Sequence, residues 1–218
     1  MSSGIRNTIL ACLAFMGLMV ALFVNNMLQE PQLSDAELRE EGIVVLPRPQ
    51  ELSAFELMAS TGEPFRREDL EGRWTFAYFG FTHCPDICPV TLSVMGQAVE
   101  RLQAEADGAD ADRAAFRGIM VSVDPARDTP EVLEEFVTYF SPEFIGVTGS
   151  REAIAGLASQ VSVAFAAVPA EDQPDGYVVD HTGNIVVFNP RGHYHGYIRM
   201  PHSPDQLIVA WRTLAARM

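Results

Sequence analysis

The chain has 218 residues, the size of one domain with an additional segment. All 15 basic residues are arginines, they stand against 29 acids, and the net charge is −14. A protein this acidic repels phosphate backbones and anionic lipid headgroups, which argues against nucleic-acid binding. Three cysteines are too few for a fold that depends on several disulfides.

The N-terminal region predicts a single membrane anchor. Residues 8–24 contain no charged side chain, and a helix over residues 8–28 is long enough for a hydrocarbon core of about 30 Å. No small-residue cleavage motif follows this apolar stretch, which is longer than that of a cleaved signal peptide. Arg6 precedes it, so the positive-inside rule places residues 1–7 in the cytoplasm as a short stub. The rest of the chain is then expected on the periplasmic side of the inner membrane.

The remaining chain predicts a linker followed by one α/β domain. Residues 29–50 are polar and interrupted by prolines, which is typical of a linker, and residues 51–218 form the predicted domain. Strands and helices alternate first and hairpin strands come late, which indicates an α/β sandwich with a mixed sheet. The predicted strands lie at 74–81, 117–124, 161–169, 177–190 and 192–200, and the predicted helices at 91–106, 131–140, after Ser150 and after Ser203.

Two cysteines stand where chemistry is expected. The first predicted strand ends at Phe81 and delivers Cys84 to the carboxyl edge of the sheet, where open α/β folds place ligands. Pro89 follows Cys88, so Cys88 is predicted near the N-cap of the next helix. The exposed N–H groups and dipole of that helix favour thiolates. The spacing also allows the Cα–Cα separation of about 4.4–6.8 Å that a disulfide needs.

The dithiol alone leaves redox exchange and metal binding open. Thioredoxin-type oxidoreductases have two residues between their cysteines, whereas this chain has three. Two thiolates suit Cu(I), an added imidazole also suits Cu(II), and Zn(II) accepts the same donors. Of the five histidines, His181 lies in a tight turn between predicted strands, with Asp180 as a candidate to orient its ring. His193 and His195 share one strand face, and either a second metal site or a polar strand surface is consistent with them.

Three segments together resemble the Sco/SenC proteins, which are named for their part in cytochrome c oxidase synthesis. They are YFGFTHCPDICPVTL (78–92), VSVDPARDTPEVL (121–133) and GYVVDHTGNIVVFNP (176–190), and the resemblance covers about residues 48–217. It implies a thioredoxin-like fold that binds one copper ion, as Cu(I) or Cu(II). It also implies that Cys84, Cys88 and His181 are the metal ligands.

The resemblance implies either copper delivery or thiol reduction, and the leading interpretation is a copper metallochaperone. Its expected target is the dinuclear copper site in subunit II of cytochrome c oxidase, and other copper chaperones or thioredoxin-like reductants are further candidate partners. The alternative function is a thiol–disulfide oxidoreductase that acts on the oxidase's copper-site cysteines. In that case Cys84 and Cys88 are the redox-active pair.

The segment 124–130 has two interpretations. Asp124 either shapes the site or docks a partner, or else it simply ends its strand. The second interpretation is favoured, with Asp128 and Thr129 capping the next helix and Arg127 pairing with a nearby acid.

Overall fold

The computed structural model describes residues 3–28, 33–106, 115–170 and 176–217. The chain divides into two compact units, residues 1–33 and residues 34–218. The first unit contains helix α1 (Ser3–Leu28). Within the described part of the chain, no helix combines the length and apolarity that a membrane crossing requires.

The second unit alternates strands and helices. In chain order its elements are α2 (Asp35–Glu40), β1 (Ile43–Gln50), β2 (Glu56–Ala59), β3 (Pro64–Arg66), a 3-10 turn (Arg67–Leu70), β4 (Thr75–Gly80), α3 (Ile87–Glu105), β5 (Arg117–Ser122), α4 (Pro130–Thr138), β6 (Ile145–Thr148), α5 (Arg151–Gln160), β7 (Phe165–Pro169), β8 (Tyr177–His181), β9 (Ile185–Phe188), β10 (Tyr194–Ile198) and α6 (Pro204–Ala215).

Eight of these strands form one mixed sheet in the order β1-β10-β9-β4-β5-β6-β2-β3. Strands β4, β5 and β6 are parallel, and β9 pairs antiparallel with β4. Strands β7 and β8 form a separate antiparallel hairpin. The predicted α/β class with a mixed sheet is therefore confirmed.

The centre of the sheet is β4, in which all six residues are buried. This explains its continuous aromatic and apolar sequence, because a strand covered on both faces has no polar side to show. Phe76 of β4 stacks on Phe116, with ring centroids 4.1 Å apart. Helix α3, which follows β4, packs against α6. The buried strand and this helix fix the turn between them, which carries Cys84 and leads to Cys88 at the start of the helix.

Three predicted helix starts are confirmed. The side chains of Thr129, Ser150 and Ser203 are N-caps, and each accepts a hydrogen bond from a backbone N–H three residues later. Such caps satisfy N–H groups that have no partner within the helix. Strands β2 and β3 were not among the predicted strands; they are four and three residues long, so their apolar pattern is weak.

The folded unit begins earlier than the sequence predicts. Residues 29–50 are predicted to be a linker, but α2 and β1 lie within this range, and β1 pairs with β10. Leu38 and Ile43 are at most 1% exposed. Pro47 and Pro49 favour a linker in the sequence, yet β1 is an edge strand, where the missing N–H donors are tolerated. Residues 34–50, which are most of the predicted linker, are therefore part of the domain.

Candidate metal centre

Two thiols and one imidazole meet at the edge of the sheet. The ligand atoms of Cys84, Cys88 and His181 all lie within 4.8 Å of one another. The Nε2 atom of His181 is 3.7 Å from the sulfur of Cys88. Both cysteines are free thiols. The structure thus brings together the three residues that the resemblance implied as ligands.

The thiols are positioned by the turn between β4 and α3. The N–H of Cys84 donates to the carbonyl oxygen of Phe81, which directly follows the buried strand. This hydrogen bond ties Cys84 to the end of the strand. Helix α3 has Asp86 as its N-cap and Cys88 as its second residue, so Cys88 lies near the N-cap, as the sequence predicts. Pro89 then occupies the third position, where its missing N–H costs no helical hydrogen bond. Cys88 is buried and Cys84 is partly exposed.

The pKa values of the two thiols are shifted in opposite directions. The pKa of Cys84 lies far below its ordinary range, first because the Cys88 thiol donates a hydrogen bond to it, and also because of the nearby His181 side chain and of the N–H groups of Asp86 and Cys88, which donate to its sulfur. The pKa of Cys88 is raised by its hydrogen bond to Cys84 and by burial. Of the two cysteines, only Cys84 therefore has a lowered pKa, and the Cys88 thiol contributes more to it than the N–H groups at the start of α3, which the sequence predicted to favour thiolates.

The imidazole is placed by the end of β8 and by two aromatic rings. The Nδ1 atom of His181 donates to the Thr182 carbonyl oxygen at 3.2 Å, which leaves Nε2 to face the sulfurs. The rings of Tyr78 and Phe81 meet the imidazole edge to face, at centroid distances of 5.8 and 6.0 Å. Asp180, predicted to orient the ring, is exposed, and the Thr182 carbonyl has that role instead.

The last residue of β4 leaves room for the buried sulfur. A methyl group in place of the Gly80 hydrogen would lie 3.0 Å from the sulfur of Cys88 and 2.9 Å from the ring of Tyr78. The Tyr78 ring is fully buried, and burial together with the nearby Cys88 raises its pKa. Glycine at position 80 thus allows the strand to pass directly against the thiol and the ring.

A buried carboxylate holds the thiol turn. Asp128, which is fully buried, accepts hydrogen bonds from the backbone N–H and the hydroxyl of Thr82 and from the hydroxyl of Ser122. Burial raises the pKa of Asp128, and these hydrogen bonds oppose the rise. The sequence predicted Asp128 to cap the next helix; the structure places it under the turn that leads to Cys84.

The other histidines lie apart from the thiols. His83 contacts Thr82 and is half exposed, and the ring of His202 bonds to Thr91 and to the Ile198 carbonyl. His195 contacts Asn189 and the Trp74 ring. Among the described residues, the two cysteines and His181 are the one group of three donors close enough to share a metal ion. The structure therefore gives no support to a second site at His193 and His195.

Sequence reasoning missed the residues that hold the ligands in place. The sequence predicts Tyr78 and Phe81 only as strand residues, and the signal for a further role is a tyrosine within a buried, largely apolar strand. For Asp128, the available signal was that it is the second acid, after Asp124, to follow the end of β5. Tyr177 had no local signal, because its contacts with Asp124 and Arg127 join distant parts of the chain.

Comparisons with known proteins agree with this geometry. The SCO1/SenC family model matches residues 46–216. A "SCO2-like protein" of Rickettsia felis is 34% identical over 71% of this chain and 72% of its own length. The structure of Arabidopsis thaliana ScoI with copper bound has a TM-score of 0.67 and 31% identity, covering 75% of this chain and 98% of that one. Bradyrhizobium japonicum ScoI with copper bound gives 0.62 and 29%, covering 75% and 97%. These neighbours support the thioredoxin-like fold.

Proposed function

The chain belongs to the SCO1/SenC family, and we propose that it is a copper metallochaperone that binds one copper ion through Cys84, Cys88 and His181. The observation that carries this proposal is the convergence of two sulfurs and one imidazole nitrogen within 4.8 Å. Two structures of similar proteins contain copper, which supports the choice of metal.

The donor set fits copper in both oxidation states. Thiolates are soft ligands that suit Cu(I), and the imidazole completes a set that also holds Cu(II). Two thiolates and a neutral imidazole leave a Cu(II) site neutral and a Cu(I) site with one negative charge, which the N-terminus of α3 tolerates. Zn(II) accepts the same ligand types, so the proposal rests on the family as well as on the donors.

The proposed role of the bound copper is delivery to cytochrome c oxidase. The resemblance to Sco/SenC proteins supports this role, with the dinuclear copper site of subunit II as the target. Partial exposure of Cys84 supports it physically, because one thiolate of the pair is within reach of a partner's ligands.

The proposal also includes anchoring by residues 8–28 and a periplasmic position for the domain. It is supported by the uncharged run from Thr8 to Val24 and by Arg6 before it. Alkaline extraction of membranes tests the anchor, since an anchored chain stays in the pellet. Protease added outside intact spheroplasts should digest the domain, and protection of the domain would contradict the periplasmic position.

Copper titration of the full chain tests the ligand assignment. We expect thiolate-to-Cu(II) charge-transfer bands that are lost in Cys84→Ser and in Cys88→Ser. His181→Ala should weaken Cu(II) binding by more than about 10-fold. Loss of a residue that only orients a ligand already costs about that much, and loss of the ligand itself should cost more. His193→Ala is the matched control and should bind as the original chain does. Equal Cu(II) affinity in His181→Ala and the original chain would show that the assignment is wrong.

A thiol–disulfide oxidoreductase is the second candidate function. It is favoured by the lowered pKa of Cys84 beside a second free thiol, since a thiolate is the attacking species in exchange. In this case the metal-free reduced chain should reduce a disulfide between the oxidase's copper-site cysteines, and Cys84→Ser should not. If oxidase assembly still requires the copper-loaded chain when those cysteines are already reduced, thiol reduction alone does not account for its role.

A further inference from the structure

The hairpin that carries His181 stands outside the large sheet. Of the described strands, β7 and β8 pair with each other and with none of the other eight. A groove of about 520 Å³ lies between this hairpin, the segment 123–126 and the start of α5. Over the residues that the structure describes, the hairpin shares no sheet hydrogen bonds with the eight-stranded sheet and borders an open groove. Its position therefore depends largely on individual side-chain contacts.

One cluster of side chains joins the hairpin to the loop after β5. The hydroxyl of Tyr177 donates to Asp124 at 2.9 Å, and the guanidinium of Arg127 lies 4.2 Å from the centroid of the Tyr177 ring. Asp124 and Arg127 form an ion pair whose side chains are only 5% and 14% exposed. Little water reaches this pair, so its charges are weakly screened and its geometry is well defined.

The same cluster continues to the imidazole. Arg127 also lies over the ring of Phe81, 5.8 Å from its centroid, and Phe81 contacts the edge of the His181 ring. Tyr177 and His181 are the first and last residues of β8. Residues four apart in a strand share one face, so the face held by Asp124 and Arg127 also presents His181.

We propose that Asp124, Arg127 and Tyr177 are positioning residues that hold the β7–β8 hairpin so that His181 lies against Cys84 and Cys88. In the same segment, Asp128 holds Thr82 of the thiol turn. Residues 124–128 thus contact both halves of the site and set the separation between the imidazole and the sulfurs. The functional meaning of this inference rests on the proposed metal-ligand role of His181, whereas the positioning is a property of the metal-free chain.

Nuclear magnetic resonance of the metal-free full chain in detergent tests the positioning directly. We expect cross-peaks between the His181 ring and the rings of Tyr78 and Phe81, and we expect Tyr177→Leu to abolish them while the amide shifts of β4 and β5 stay unchanged. Tyr177→Phe keeps the ring beneath Arg127 and should retain part of their intensity. Tyr139→Leu, at a side chain that is 85% exposed, is the matched control and should retain all of it.

Two results would overturn the proposal. Full cross-peaks in Tyr177→Leu would show that the hairpin needs no such contact. Equal disturbance of β4, β5 and the hairpin would show that Tyr177 supports the whole domain rather than the position of His181.

Copper affinity gives a second readout. Tyr177→Leu should weaken Cu(II) binding by about 10- to 100-fold, as for other residues that orient a ligand. It should change Cu(I) binding far less, because two thiolates suffice for that ion. Equal loss for both ions would contradict the proposal. If His181→Ala itself binds Cu(II) normally, the ligand assignment fails, and the metal-free spectra still decide the positioning.

Discussion

Cys84 and Cys88 differ in their surroundings although only three residues separate them. Cys84 is partly exposed, accepts hydrogen bonds from the Cys88 thiol and from two backbone N–H groups, and lies beside His181. Cys88 is fully buried beneath Gly80 and Tyr78. In the metal-free reduced chain we therefore expect Cys84 to ionise before Cys88.

Alkylation by iodoacetamide should reveal this asymmetry. Because its pKa is lowered, Cys84 is already ionised in mild acid, and its rate of alkylation should be nearly constant from about pH 6 to 8. An ordinary thiol has a pKa of about 8.5, so its rate of alkylation rises about tenfold for each pH unit in this range. Peptide mass spectrometry after timed labelling measures the rate at each cysteine. Faster labelling of Cys88, or a tenfold rise per unit at Cys84, would contradict the assignment.

The Cys88→Ala variant identifies the cause. Removing the thiol that donates to Cys84 should raise the pKa of Cys84 towards its ordinary value. The rate at Cys84 should then fall at pH 6 and regain its dependence on pH. An unchanged profile would assign the low pKa to the backbone N–H groups and His181 alone.

At the scale of elements, α2 and β1 act as part of the domain. Ile43 of β1 is 1% exposed and pairs with Ile198 of β10. Ile43→Ala should lower the free energy of unfolding by about 2–5 kcal/mol, the usual cost of truncating a buried aliphatic side chain. Chemical denaturation measures this loss. Arg48→Ala, an exposed substitution in the same strand, should change stability by less than about 0.5 kcal/mol.

The elements with strong local signals could be predicted from the sequence. Strand β4 was found from its continuous apolar run, and α4, α5 and α6 from Thr129, Ser150 and Ser203 at their caps. Strand β1 was missed because local sequence cannot tell an edge strand that tolerates proline from an extended linker. Its place is set by β10, which lies about 150 residues further along the chain.

The site, like the fold, has features that local sequence predicts and features that depend on distant contacts. The spacing of Cys84 and Cys88 is local, so a shared turn could be predicted from it. The approach of His181, and the support it receives from Tyr177 and Asp124, is tertiary. The turn between two strands made His181 a candidate in the sequence, and the resemblance to a family singled it out as a ligand. The predicted pairing of Arg127 with a nearby acid is present with Asp124, but the sequence did not predict their contacts with Tyr177.

For the whole molecule, copper bound as proposed should join two parts that, among the described strands, share no sheet hydrogen bonds. The thiols follow β4, the central strand of the large sheet, and the imidazole belongs to the separate β7–β8 hairpin. A ligand that binds only the folded state stabilises it by about 4 kcal/mol when its free concentration is 1,000 times the dissociation constant. Differential scanning calorimetry should therefore show a higher unfolding temperature with copper.

Two controls accompany this measurement. An equal concentration of Mg²⁺ should leave the unfolding temperature unchanged, because Mg²⁺ prefers oxygen ligands. In His181→Ala, Cu(II) should stabilise the chain less than it does the original. Equal stabilisation of both by Cu(II) would mean that the ion does not bridge the hairpin to the sheet.

The hairpin outside the sheet has a consequence for how the metal can leave. If Cys84, Cys88 and His181 bind copper as proposed, the imidazole can be displaced without breaking a hydrogen bond of the eight-stranded sheet. An acceptor would then meet the partly exposed Cys84 before the buried Cys88. Exchange in that order would keep the ion coordinated throughout, so the rate of copper transfer should depend on how firmly the β7–β8 hairpin is held rather than on the stability of the whole fold.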